Sequence, residues 1–206
     1  HFLSKRPVNI LHLEKQPEVA LGLGYGEKDI FRRVEMFMGD YYSHARTISQ
    51  ITGVLEQRLV YANSGSTAKL SFRKVLSAYR AEPRKSVDGF ELLNNQLSSS
   101  NPQIFDEDPE RILRLFRHSQ RLSTTLSPDL RSLVRNRLSL IDSSLINSAS
   151  ANVSFRSILQ EIGNVSPTLC EMHELGVLGR FIPEFGKLNC KVQHDLYHRF
   201  TADVHI

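Results

Sequence analysis

The chain has 206 residues, of which 40% are hydrophobic and 23% charged, with a formal net charge of +4. This composition is typical of folded proteins and excludes a disordered or fibrous chain, while the modest charge permits an anionic partner without requiring one. No apolar run approaches the roughly 20 residues of a membrane helix, and the first residues lack the apolar core of a signal peptide.

Two cysteines, Cys170 and Cys190, are too few for a disulfide scaffold and lack zinc-finger spacing. We interpret them as reduced thiols of a cytoplasmic protein. Because the chain begins with His1 rather than methionine, we also expect it to be an internal piece of a longer protein.

Residues 1–29 predict irregular structure or short helices, since Pro7 and Pro17 limit helix length. Three glycines between residues 22 and 26 lack the G-x-G-x-x-G spacing of a phosphate-binding loop. We therefore interpret them as a helix end followed by a turn.

The strongest signal is a long amphipathic helix that begins after Asp29, a plausible N-cap, and continues to about Val60. Apolar residues recur at spacings of three and four, which places them on one helix face. They are Val34, Phe37 or Met38, Tyr41, Ala45, Ile48, Ile51 or Thr52, Leu55 and Leu59. We expect this helix to form the spine of the fold, and His44 to be a surface or second-layer residue.

Residues 63–67 predict a loop. A Gly-Ser pair opens the metal-binding motif of nucleotidyltransferases, and Gly65-Ser66 is such a pair. That chemistry needs an Asp-x-Asp pair shortly afterwards, but the next carboxylate is Glu82, so this site is absent. Three cations beyond it predict a solvated basic loop: Arg80, Arg84 and Lys85.

Residues 89–97 predict a small β-hairpin, the only place where we expect strand, because Asn94 and Asn95 tolerate positive φ in a tight turn. Three later sites place an N-cap residue before a proline: Asp108-Pro109, Ser127-Pro128 and Ser166-Pro167. Each precedes an amphipathic run, and a further helix extends from Val153 to Ile162. The sequence thus predicts an all-α fold: a helical bundle with one long spine helix, several short helices packed on it and at most a small β-hairpin.

Seven arginines form a basic stretch in the second half of the chain: Arg111, Arg114, Arg117, Arg121, Arg131, Arg135 and Arg137. Such a stretch can meet a nucleotide, an acidic protein loop or a nucleic acid. No aromatic residues interleave with it to support base stacking, and a solvated helix face is the interpretation that we favour.

Histidines are concentrated near the end of the chain. His194 and His198 are four residues apart, so a helix would place both on one face, a spacing that can hold a metal. The dipeptide His194-Asp195 invites comparison with metal-dependent phosphohydrolases, but the chain offers no clear set of further ligands. We therefore favour structural roles for both histidines.

Several segments resemble the bifunctional PII uridylyltransferase/uridylyl-removing enzymes, in the region where their connecting helices enter an HD domain. The matching segments are Leu23–Gly26, Val34–Arg46, Phe105–Pro109 with Leu115-Phe116, Gly176–Gly186, Gln193–His198 and Thr201–His205. The resemblance is strongest in the last thirty residues, although Asn189-Cys190-Lys191 departs from the apolar and small residues usual there.

The resemblance implies a helical connecting domain at residues 1–175 and the first part of an HD domain at 176–206. It also implies a nucleotidyltransferase domain before this region and HD and ACT domains after it. Such an enzyme uses UTP and magnesium to uridylylate the PII signalling protein, removes the group by metal-assisted hydrolysis, and answers to glutamine in the cytoplasm.

By position, His205 matches the first metal ligand of the HD site, whereas His194-Asp195 falls in the preceding helix. The resemblance implies no catalytic and no cofactor-binding residue within the chain, no membrane partner, and an inactive fragment. Two alternatives remain open at this stage. One is a helical interaction module like that of glutamine synthetase adenylyltransferase, and the other is a basic nucleic-acid-binding domain.

Overall fold

A computed structural model of the chain describes residues 10–66, 85–93, 95–192 and 201–204. The chain divides into two compact units, one formed by residues 1–52 with 187–205 and the other by residues 53–186. The boundary predicted between residues 175 and 176 concerns domains of a longer protein and stays a prediction.

The described residues are mainly helical, with one small sheet. The helices are α1 (Gln16–Gly22), α2 (Ile30–Ser66), α3 (Ile104–Glu107), α4 (Arg111–Leu122), α5 (Pro128–Asn136), α6 (Ser143–Asn147), α7 (Ala149–Gln160), α8 (Val165–Glu174), α9 (Val177–Phe181) and α10 (Pro183–Gly186). The strands are β1 (Lys85–Val87), β2 (Phe90–Leu93), β3 (Gln96–Ser98) and β4 (Thr125–Leu126). Short 3-10 helices occupy Leu13–Lys15, Leu138–Leu140 and Ala202–Val204. The helical fold class is confirmed.

Helix α2 begins where the sequence predicts. The Asp29 side chain accepts a hydrogen bond from the backbone N–H of Phe31 at 2.9 Å, which satisfies a free donor of the first turn. The helix continues to Ser66, about one and a half turns beyond Val60, so the loop predicted at residues 63–67 is wrong up to Ser66. An existing helix extends at little cost even through weak helix formers, because the nucleation cost falls on its first turn.

The core of the first unit is small and lies on the first turns of α2. Its buried members are Ala20, Val34, Phe37 and Met38. The Tyr25 ring contacts Phe37 edge-on at a centroid distance of 5.6 Å, and its hydroxyl donates to Asp40 at 2.7 Å. This pair holds the turn after α1 against α2.

The remainder of the apolar face of α2 is exposed. Tyr41, Ile48, Ile51, Leu55 and Leu59 each keep more than half of their surface accessible. Periodicity shows that a helix has an apolar face but not what covers it.

The sheet has the strand order β1-β2-β3-β4. The first three strands are antiparallel neighbours, and β3 pairs with β4 in parallel. The predicted hairpin is confirmed as β2–β3, but the sheet is larger than a hairpin, and Lys85 belongs to β1 rather than to the expected basic loop. Asp88 and Gly89 connect β1 to β2 with φ values of 52° and 86°. An Asp-Gly pair at positive φ is a strong hairpin signal.

The second unit has an extended apolar core. Helix α4 packs against α7 and α8, and α8 packs against α9. The largest fully buried side chains of this core include Phe90, Phe105, Phe116, Ile158 and Met172. Ser127 caps α5 as predicted, accepting from the Leu130 N–H at 3.3 Å.

The other two predicted caps are displaced. Helix α4 begins at Arg111, three residues after Asp108, and α8 begins at Val165, one residue before Ser166. Gly176 ends the α8 region with φ of 83°. The chain then turns through α9 and α10, where a Cβ on Gly186 would lie 2.5 Å from the Gly179 carbonyl oxygen.

Candidate functional site

A cavity of about 560 Å³ lies in the first unit, between α2 and residues 187–192. Its charged lining residues are Glu35, Asp40, Arg46, Lys187 and Lys191. Charges of both signs, three cationic and two acidic, therefore face this space.

Arg46, which lines the cavity, pairs with Asp203. Asp203 is fully buried, and Arg46 donates a hydrogen bond to its carboxylate. Burial by itself raises the pKa of Asp203, but hydrogen bonds from the Thr201 hydroxyl, from Arg46 and from the Cys190 backbone outweigh it and lower the pKa below its ordinary value. Asp203 is thus a charged, structurally engaged carboxylate at neutral pH.

Cys190 lines the same cavity and adopts a left-handed backbone with φ of 54°. Burial raises the pKa of its thiol, and the nearby Asp203 carboxylate opposes the lowering influence of Arg46. A thiol with a raised pKa stays protonated at neutral pH, which disfavours Cys190 as a nucleophile.

A second cluster of charges lies in the other unit, around the turn between β1 and β2. Arg114 donates to both carboxylate oxygens of Asp88, at 2.6 and 3.2 Å, and to Asp108 at 2.6 Å. Arg111 approaches Asp88 at 3.4 Å, and His118 lies 3.6 Å from it. These contacts fix the hairpin turn on helix α4.

In this cluster, too, burial and nearby charges shift the pKa values in opposite directions. Partial burial raises the pKa of Asp88, but hydrogen bonds and charge from Arg114, with help from Arg111 and His118, lower it below its usual range. Burial lowers the pKa of His118, although Asp88 opposes this. Asp88 is therefore ionised at neutral pH, while the neutral form of His118 is favoured there.

The arginine stretch is engaged in ion pairs rather than forming a simple solvated face. Arg131 donates to Glu171 at 2.5 Å and to Glu174 at 2.9 Å, and Arg137 donates to Asp106 at 2.9 Å. Four of the seven arginines therefore pair with acids of other segments: Arg111, Arg114, Arg131 and Arg137. Sequence reasoning missed these pairs because 20 or more residues separate Arg114 from Asp88 and Arg131 from Glu171.

His205, which the resemblance gives as a metal ligand, falls outside the described residues. So do His194 and His198, for which structural roles are favoured, and Asp195. Gly65 and Ser66 are the last residues of α2. Within the described ranges, His, Cys, Asp and Glu form no group of three or more that could hold a metal ion. Among the helices of that same part of the chain, none is long and apolar enough to cross a membrane.

Two protein-family models match parts of the chain. A model described as the uridylyltransferase GlnD third domain matches residues 90–181, and one described as GlnD PII-uridylyltransferase matches residues 1–56. The chain belongs to the GlnD uridylyltransferase family. The match to the GlnD third domain begins at the first residue of β2 and ends at the last residue of α9, so it spans the core of the second unit.

Curated relatives named bifunctional uridylyltransferase/uridylyl-removing enzyme align with the whole chain. The protein of Phenylobacterium zucineum is 34% identical over 207 residues, that of Rhodopseudomonas palustris 33% over 209, and that of Caulobacter vibrioides 32% over 205. Each alignment covers 100% of this chain and 22% of the relative, so the chain spans about a fifth of the length of these GlnD relatives. No solved structure matches the chain.

Proposed function

We propose that the chain is an internal helical region of a bifunctional uridylyltransferase/uridylyl-removing enzyme, and that it connects a nucleotidyltransferase domain to an HD hydrolase domain. The observation that supports this proposal is the alignment of the whole chain with about a fifth of each relative. Neither alternative, an adenylyltransferase module or a nucleic-acid-binding domain, receives such support, and the arginines that a nucleic acid would contact are largely paired with acids.

In this proposal the longer protein is a cytoplasmic enzyme of nitrogen signalling. It transfers a uridylyl group from UTP to the PII protein with magnesium, and its HD domain removes the group by hydrolysis, both under the control of glutamine. Residues 1–175 form the connecting region and residues 176–206 begin the HD domain.

The contribution of this chain is mechanical rather than chemical. The ion pairs of Arg114 with Asp88 and of Arg131 with Glu171 join segments distant in sequence, and they provide a rigid framework around the apolar core. The described residues offer no ligand set that fits a magnesium ion, so no metal-dependent step is assigned to them. His205 is proposed, on the resemblance alone, as the first ligand of a metal site that later residues complete.

Label transfer tests this proposal. The longer protein, its His205→Ala variant and the isolated 206-residue chain are each incubated with UTP labelled in the uridylyl group, magnesium and PII. Labelled PII is then isolated and returned to each protein to follow removal of the label.

The longer protein should perform transfer and removal, His205→Ala should retain transfer but lose removal, and the isolated chain should do neither. His205→Asn serves as the matched control for side-chain size, and it should fail like alanine if metal ligation is the role of His205. Turnover by the isolated chain would contradict the connector role, and full removal activity in both variants would contradict the role of His205.

A further inference from the structure

Arg46 of helix α2 is joined to a residue near the other end of the chain. Its guanidinium donates a hydrogen bond to the carboxylate of Asp203, 157 positions further along the sequence, and a longer one to Asn189 Oδ1 at 3.4 Å. The Asp203 side chain has no exposed surface, whereas Arg46 keeps 29% of its side chain accessible. The pair therefore attaches the 3-10 helix Ala202–Val204 to α2 through a buried carboxylate.

The segment that contains Asp203 has further contacts within the same unit. The Thr201 hydroxyl and the Cys190 backbone also donate to the Asp203 carboxylate. The Ala202 N–H donates to the Lys191 carbonyl oxygen at 2.9 Å. Thr201 is itself buried, with 6% of its surface exposed. This segment is therefore held from two sides, by α2 and by an earlier turn of the chain.

The ion pair restricts the arrangements that this segment can adopt. A buried ion pair adds little net stability compared with apolar residues of the same volume. A buried carboxylate that loses its cation, however, is left charged in a poorly solvating environment, and this is costly. Arrangements that separate Asp203 from Arg46 without bringing Asp203 into water are therefore disfavoured.

The restriction extends to the residue that follows the 3-10 helix. His205 is two positions after Asp203, and two residues of chain span at most about 7 Å. The place of Asp203 thus limits where His205, the metal ligand of the proposed function, can lie. We propose that Arg46 is a positioning residue for the removal of the uridylyl group, and that it acts through Asp203. This inference rests on the proposed function and adds to it a part in hydrolysis for a residue of α2.

The two activities of the longer protein separate this role from a general loss of stability. Arg46→Ala should lower kcat for removal by about 10- to 100-fold, as small displacements of reacting groups do elsewhere. The KM for uridylylated PII and the rate of transfer should not change. Arg46→Lys should lose less removal activity, because an ammonium group can still pair with Asp203. Arg32→Ala is the matched control, since Arg32 is an exposed arginine of the same helix, and it should keep both activities.

A double variant tests whether Arg46 acts through Asp203. Asp203→Asn should reduce removal about as much as Arg46→Ala, and the two changes together should reduce it no further, because residues that share one contact are not additive. Hydrogen exchange measured by mass spectrometry gives a readout that does not depend on activity. Residues 201–204 should exchange faster in Arg46→Ala than in the wild type or in Arg32→Ala.

The outcomes distinguish this inference from the proposed function. Removal at the wild-type rate in Arg46→Ala, an equal loss of transfer and removal, additive losses in the double variant, or unchanged exchange at residues 201–204 would overturn the role of Arg46. Absence of removal by the wild-type longer protein would contradict the proposed function itself, and the role of Arg46 with it.

Discussion

At the residue scale, the close approach of Gly186 to Gly179 is the contact that a single atom would break. A Cβ on Gly186 would lie 2.5 Å from a backbone carbonyl oxygen that no side-chain rotation can move. Gly186→Ala should therefore lower the free energy of unfolding by about 1–3 kcal/mol, as overpacking does elsewhere. Urea unfolding followed by circular dichroism measures this loss.

Gly53→Ala is the control for the same substitution without the contact. Gly53 lies within α2, and a Cβ there meets no atom within 4 Å. The variant should gain about 0.5–1 kcal/mol, because alanine loses less conformational freedom than glycine in a helix. An unchanged unfolding midpoint for Gly186→Ala would mean that α9 and α10 do not keep this approach in solution.

At the element scale, an ion pair between Asp88 and Arg114 holds the turn between β1 and β2 against α4. Asp88 holds a left-handed φ of 52° and bonds Arg114 through both carboxylate oxygens. Asn tolerates the same backbone conformation, so Asp88→Asn removes the charge without straining the turn. The variant should lose about 1–2 kcal/mol of stability at pH 7.

The pH dependence of this loss has a definite sign. The pKa of Asp88 is lower in the folded chain than in the unfolded chain, so its contribution is fully present above the unfolded value of about 3.9. It disappears as the pH falls through the folded pKa. The difference between wild type and Asp88→Asn should therefore shrink below about pH 4. Denaturation curves from pH 7 to pH 3 measure it, and exposed Asp129→Asn is the control. A difference that stays constant with pH would contradict the ionic role.

Local signals predicted individual elements well and their partners poorly. Asp29 and Ser127 act as the N-caps that their positions suggested, because capping depends on residues within one turn. The turn at Asp88-Gly89 carried a recognisable hairpin signal, yet β1 and β4 were missed. The pairing of β4 with β3 joins residues almost thirty positions apart, which no local pattern reveals.

The same limit applies to the candidate sites. The arginine stretch was visible in the sequence, but its acidic partners were not, because Asp88 and Glu171 reach it only through the fold. The pair of Arg46 with Asp203 spans most of the chain and was likewise unforeseen. In the sequence, Asp203 stood out only as part of a segment that resembles a known family. The structure adds that its side chain is buried and paired with Arg46.

At the scale of the whole molecule, the chain consists of two compact units, and it aligns with about a fifth of each longer relative. The first unit carries a small core and a polar cavity, and the second carries the extended core that the GlnD third domain model matches. Each unit contains arginine–carboxylate pairs that join distant segments. Each pair therefore ties together segments of its own unit.

The central claim is that these residues are an internal connector, and the coding sequence on both sides of the chain tests it most directly. The claim predicts a Gly-Ser…Asp-x-Asp motif upstream of His1, and a His-Asp pair followed by a final Asp downstream of Ile206. A gene that encodes these 206 residues alone, or flanking sequence that lacks both motifs, would contradict it.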